Sequence, residues 1–220
     1  LVAMLFALYI FFDRPNWATG LVFNILAALA VLSRLDSIFV IACLWIAVLV
    51  WCLQQKKQQA ESPALRIHLS FIPLYAVLWG AYLTSNLIWF GILMPISGLL
   101  KSHNAHDHLL GHNLPHTALL SLAISAISLL ILWRKQRDRW FLFAELPFFI
   151  GIVFHAAYIT LRMTSETRWT WYYVSWALLA ALTASRAATC IFSDHLKLTN
   201  SHSFSGWPLR LPAMVVAVLL

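Results

Sequence analysis

The sequence predicts an all-α fold: a polytopic bundle of transmembrane helices, joined on the outer face by short loops or interfacial helices. Three observations predict it. Apolar residues make up 61% of the 220 and charged residues only 10%, against about 25% charged in an ordinary soluble domain. The apolar residues are gathered into long runs instead of the periodic stripes of a soluble core. Basic residues stand at the ends of those runs, and they divide unequally between the two sides that an alternating topology defines.

The runs are 1–12, 17–33, 37–53, 67–91, 117–133, 140–161, 171–193 and 209–220. Each is expected to be helical, because in lipid a lone segment satisfies its backbone groups only within a helix. The ten-residue alternation of an outer-membrane barrel is absent, and no internal repeat stands out. About eight membrane segments follow. The run 1–12 starts without a Met and, like 209–220, falls short of the roughly 20 residues a crossing needs. Both are expected to be truncated segments, and 1–220 one integral membrane domain within a longer protein. A signal peptide is a poor fit at 1–12, which lacks a basic leader and a small-residue cleavage site.

Placing the 13–16 turn inside and alternating gives the inner side Arg14, Lys56, Lys57, Arg66, Arg134, Lys135, Arg137, Arg139, Arg186, Lys197 and Arg210. The outer side receives only Arg34, Lys101, Arg162 and Arg168. This bias predicts a multi-pass integral membrane protein with its basic loops on the inner side. The net charge of +7 does not point to nucleic acid, because the basic residues form no patch with interleaved aromatics.

The four outer cations run against the bias, so each asks for a reason. Arg34 and Asp36 lie between two runs with almost no loop, where a charge is costly unless it is paired or faces a wet cavity. They are candidates to meet an anionic group and to orient it or a hydroxyl, or else they clasp each other. Pro95 is expected to end the helix before Lys101, and Gly98 permits close backbone approach. Lys101 is then either a point charge for an anion or a lysine that snorkels to headgroups. Arg168 begins Arg168-Trp169-Thr170-Trp171-Tyr172-Tyr173, which suits an interfacial aromatic belt or an aromatic platform for a sugar beside a cation. His155, Tyr158 and Arg162 share a helix face by their spacing and hint at a polar cavity in the outer half of that helix. Glu145, the one carboxylate well inside a run, is expected to hydrogen-bond a neighbouring helix rather than to catalyse.

His103, His106, Asp107, His108, His112 and His116 crowd one outer loop. Adjacent spacings of this kind rarely close a tetrahedral site, and no HExxH is present, so a solvated polar loop is expected and no metal site is assigned. Cys43, Cys52 and Cys190 lie in or at the ends of apolar runs without CxxC spacing, and are read as small packing residues.

Ordered along the chain, the outer motifs resemble those of the GT-C superfamily of membrane glycosyltransferases, bacterial arabinosyl- and mannosyltransferase-like members in particular. Ser33-Arg34-Leu35-Asp36-Ser37 is similar to a family pattern of Thr/Ser-Arg-Pro-Asp-Gly, with Leu35 and Ser37 replacing the usual Pro and Gly. Asn86, Phe90-Gly91, Pro95, Ser97 and Lys101 resemble an Asn, Phe/Tyr-Gly, Pro, small hydroxyl, Lys pattern. Arg168 through Tyr172 and Tyr173 resembles an Arg-aromatic-Tyr pattern at the mouth of a later helix. The three cover residues 30–175.

The resemblance implies transfer of a sugar from a polyprenyl-phosphate donor to a glycan, lipid or protein acceptor, in a bacterial plasma membrane with the active face outside the cytoplasm. Arg34, Asp36, Lys101, Arg168 and Tyr172 would be substrate-binding, among membrane lipids. The family's catalytic carboxylate would lie upstream of residue 1, so no catalytic residue is assigned. The chemistry needs a base for the acceptor hydroxyl and positive charge for the departing phosphate. A divalent cation would also serve there, though no closed ligand set is visible. A transporter or lipid flippase is the alternative, but it would favour pseudo-repeats and helices broken at mid-membrane. A passive scaffold would explain the helices and not the three ordered motifs.

Overall fold

The computed structural model describes residues 1–33, 37–58, 63–91, 116–162 and 173–196, with only the helical backbone at 161–162 and 192–196. The described residues are all-α, without strands. The helices are α1 Val2–Asp13, α2 Trp17–Ser33, α3 Ile38–Gln58, α4 Ala64–Ser70, α5 Ile72–Phe90, α6 His116–Lys135, α7 Leu146–Arg162 and α8 Val174–Leu196. A π-helical turn, Phe141–Glu145, leads into α7.

Five segments are long and apolar enough to cross a membrane: Ile38–Gln58, Ala64–Phe90, His116–Lys135, Phe141–Thr160 and Val174–Ile191. They make this a multi-pass membrane chain. The sequence suggested about eight crossings. Among the described residues α1, with 12 residues, and α2, with 17, are shorter than about 20, and the run 209–220 lies outside the described residues. Helix α1, short as expected for the run 1–12, packs into the core with Met4, Leu5, Leu8, Phe11 and Phe12 all buried.

Local chemistry explains the helix ends. Asn16 starts α2 with a reciprocal cap: Thr19 N–H donates to Asn16 Oδ1 at 3.0 Å, and Asn16 N–H donates to Thr19 Oγ1 at 3.2 Å. The run 67–91 was expected as one helix but is interrupted at Phe71. Pro73 lies in the first turn of α5, where its missing N–H is harmless. The sequence also assigned the end of this helix to Pro95. Helix α5 ends four residues earlier, because Gly91 takes a left-handed conformation (φ 71°) and its N–H caps Leu87 O at 2.9 Å. The run 140–161 was likewise expected as one regular helix. Pro147 has no N–H and would crowd the carbonyl four residues back. The wide turn before it, closed by Leu146 N–H to Phe141 O, lets the helix continue through the proline.

Helix α3 lies at the centre, packed against α4 on one side and α7 on the other. Gly151 makes the second contact possible: a Cβ there would come within 2.6 Å of Val40 Cα and 2.9 Å of Phe39 O. Helices α1 and α2 form another extensive pair, as do α6 and α8. Their buried positions include Ala118, Ser125 and Ser128 on α6 and Ala180, Thr183 and Ala187 on α8. Such small residues allow close approach in lipid, where apolar area gives no drive for association. Helix α5 is the outlier, burying only Asn86.

One end of the bundle gathers Phe12, Trp51, Asp138 and Arg139. Arg139 Nη1 donates to Phe12 O at 2.6 Å, satisfying a carbonyl at the end of α1, and its guanidinium lies 6.0 Å from the Trp51 ring centre. The opposite end gathers Ser33, Ser37, Phe39, His155 and Trp176.

Candidate functional site

The end that carries Ser33 and Ser37 holds a cavity of about 280 Å³. Five helices and one turn reach it: Leu1 and Val2 at the start of α1, Ala30 and Ser33 from α2, Ser37 and Val40 around the start of α3, His155 from α7, and Val174, Ser175 and Leu178 from α8. Among these described residues none is formally charged.

His155 is its most constrained polar group, with 3% of its surface exposed. Trp176 Nε1–H donates to His155 Nδ1 at 3.3 Å, and the two rings meet edge to face. Phe39 stacks on the imidazole with ring centres 6.1 Å apart. Phe39 also meets the ring of Tyr158 at 5.3 Å, so His155 and Tyr158 do share the face that their spacing predicted. The side chain of Arg162, third in that stripe, lies outside the described residues.

The residues proposed from the motifs, Arg34, Asp36, Lys101, Arg168 and Tyr172, also lie outside the described residues, as do His103, His106, Asp107, His108 and His112. What the structure describes is their immediate neighbours. Ser33 and Ser37, on either side of Arg34 and Asp36, line the cavity, and so do Val174 and Ser175, which follow the Arg168–Tyr173 motif. Tyr173 itself is buried against Trp176, ring centres 5.0 Å apart, so it serves packing rather than an open platform. In the second motif Asn86 is buried, and Gly91 is the helix stop. Among the described residues no group of three or more His, Cys, Asp or Glu could hold a metal.

A second polar cluster, at the opposite end, was not anticipated as a unit. Arg186 was counted only as an inner-side cation. It is 6% exposed and bonds two carboxylates: Nη1 meets Glu145 Oε2, and Nη2 meets Asp138 Oδ2 at 2.7 Å. Asp138 Oδ1 accepts the Phe141 N–H at 2.7 Å, capping the helix. Gln136 Nε2 donates to Asp138 Oδ2 at 3.2 Å, and the Cys190 thiol donates to Gln136 Oε1 at 2.9 Å. Glu145 thus has the helix-joining role expected of it. The signal for its partner was present: Arg186 and the 134–139 loop were assigned to the same side.

A third, apolar groove of about 420 Å³ runs between α2, α3 and α5, lined by Val31, Ile38, Ile41, Trp45, Tyr75 and Trp79 among others. At its edge Tyr75 O–H donates to Asn24 Oδ1 at 3.0 Å.

The chain matches no protein-family model, no curated protein and no solved structure.

Proposed function

We propose that the protein is a membrane glycosyltransferase that moves a sugar from a polyprenyl-phosphate donor to a cell-envelope glycan, lipid or protein acceptor. One observation carries the reading beyond the resemblance. Residues at the ends of two of the three matched motifs, far apart in sequence, line the same cavity: Ser33 and Ser37, the first and last of one, and Val174 and Ser175, which directly follow another. Motif residues of a shared substrate site would be expected to converge in this way.

In the reaction a base takes the proton of the acceptor hydroxyl. The acceptor oxygen bonds to the anomeric carbon as the bond from that carbon to the phosphate oxygen breaks. Negative charge grows on the leaving phosphate, and Arg34, Lys101 and Arg168 are the cations proposed to hold it. Asp36 orients the guanidinium of Arg34 or an acceptor hydroxyl, and Tyr172 contacts the sugar or phosphate. The reaction takes place at the outer face of a bacterial plasma membrane.

The test is sugar transfer from a synthetic polyprenyl-phosphate sugar by the intact protein, with folding matched across variants. A cation that meets the phosphate only as charge develops is worth roughly 2–4 kcal/mol, by analogy with one oxyanion donor. Lys101→Ala and Arg168→Ala should each lower kcat by about a hundredfold or more, with a smaller change in donor KM. Lys101→Arg should recover part of the rate, and Lys57→Ala should be nearly silent. Near-wild-type turnover in both alanine variants would return these residues to interfacial anchors and remove the reading's chemical basis.

A further inference from the structure

We infer that the 134–139 loop is a docking site for anionic phospholipid headgroups, with Arg137 and Arg139 holding the lipid phosphate. This goes beyond the transferase reading and does not depend on it.

The place of the loop comes first. The spans His116–Lys135 and Phe141–Thr160 leave only 136–140 between them. So short a connection keeps its residues at the membrane boundary, level with the headgroups. Trp133 and Trp140 bracket its cations, and indole rings favour that boundary. A Lys or Arg beside an anionic membrane surface strengthens attraction to it by about fivefold.

The charge of the loop comes second. Arg134-Lys135-Gln136-Arg137-Asp138-Arg139 holds four cations and one carboxylate. Asp138 stands between two arginines, yet its oxygens serve other groups. Oδ1 accepts Phe141 N–H at 2.7 Å, and Oδ2 accepts from Arg186 Nη2 at 2.7 Å and from Gln136 Nε2 at 3.2 Å. Its negative charge is thus matched by a buried cation of α8, while Arg134, Arg137 and Arg139 are exposed. The loop turns its acid inward and its cations outward.

The two arginines are also held ready. Arg137 Nε donates to Trp133 O at 2.7 Å, and the guanidinium lies 4.1 Å from the centre of the Trp133 ring. Arg139 Nη1 donates to Phe12 O at 2.6 Å, with the guanidinium 5.8 Å from the Phe12 ring and 6.0 Å from that of Trp51. Each is fixed by a carbonyl and an aromatic face, so little rotamer freedom remains to be lost when an anion arrives. A guanidinium presents its N–H groups in a flat fork that matches the unesterified oxygens of a phosphodiester. Position, charge and geometry therefore all suit a phospholipid phosphate.

The test titrates the intact protein, in uncharged micelles, with short-chain phosphatidylglycerol and phosphatidylcholine, and follows bound lipid by native mass spectrometry. Phosphatidylglycerol should bind about tenfold tighter or more. Arg137→Gln and Arg139→Gln should each weaken it by about five- to tenfold and leave phosphatidylcholine unchanged. Lys at either position should recover part of the loss, since it keeps the charge without the fork. Arg139 also caps the end of α1, so Arg137→Gln carries the comparison if Arg139→Gln does not fold. The control is Arg66→Gln, which removes an equal, exposed charge from α4 on the far side of α3. It should change affinity by less than about twofold, because salt screens the separation. A loss in Arg66→Gln as large as in the loop variants would make the attraction a diffuse one and overturn the site, and so would equal affinity for the two lipids. Displacement of the lipid by glycerophosphoglycerol, or by a glutamate-rich peptide, at matched concentration would assign a soluble phosphate or an acidic protein instead and overturn the inference.

Discussion

Replacing Arg186 by Met tests how strongly the polar cluster at the basic end holds α7 and α8 together. The substitution keeps most of the aliphatic volume and removes the charge that Glu145 and Asp138 share. Glu145 is 2% exposed, so it loses its counter-charge in a place water does not reach. Breaking a buried ion pair from one side costs about 3–5 kcal/mol. Asp138 adds little to that figure, because its side chain is 38% exposed and solvent screens it. Glu145→Gln is milder. Arg186 keeps Asp138, and the amide oxygen still accepts a hydrogen bond, so about 1–2 kcal/mol is lost. The double variant Glu145→Gln/Arg186→Met removes both charges and should cost less than the two single losses combined, by at least about 1 kcal/mol. Denaturant titration of the purified protein in mixed micelles, followed by tryptophan fluorescence, measures all three. Losses that add to within about 0.5 kcal/mol would refute the reasoning, since the two side chains would then not be energetically coupled.

Two further predictions follow from the architecture. Gly151→Ala should destabilise by about 1–3 kcal/mol in the same titration, because the added methyl meets the backbone of Val40 and Phe39, which cannot swing aside; Gly80→Ala, with nothing within 4 Å of the added carbon, should be neutral or slightly stabilising, and equal effects would remove the close-approach argument. In a background with the three native cysteines replaced, an impermeant thiol reagent applied to intact cells should label Ser102→Cys and not Ser62→Cys, as the distribution of Lys and Arg requires; equal labelling would sink the assignment of sides.

The helices were legible because their signal is local: an apolar run of sufficient length has few alternatives in lipid. Their breaks were legible in residue type but not in kind. Pro73 and Pro147 both stand inside runs, yet one marks a helix junction and the other a widened turn. Glu145 could be read as a helix-joining residue from its setting alone, whereas its partner lies 41 residues away and emerges only when Arg186 and the 134–139 loop meet. Asp138 reads as one charge among several in a basic loop, although an Asp two residues before the start of an apolar run is a plain capping signal. At the candidate site, spacing placed His155 and Tyr158 on one face. The cavity itself depends on separate helices converging, and no single stretch of sequence encodes that.

The widened turn at Phe141–Glu145 also sets an angular phase. Each residue of an α-helix advances the side chains by about 100°, so one residue more or fewer swings everything beyond it by that angle. Phe141, where the turn begins, and Ile152, His155 and Ile159, after it, all face the interior. The turn reconciles these two faces within a single crossing. Removing one residue from it would leave composition and hydropathy almost untouched. It would nevertheless rotate one half of the crossing against the other, so that Glu145 and His155 could no longer both face their partners at opposite ends of the bundle. The two polar sites are therefore geared to each other through the rotation of one helix.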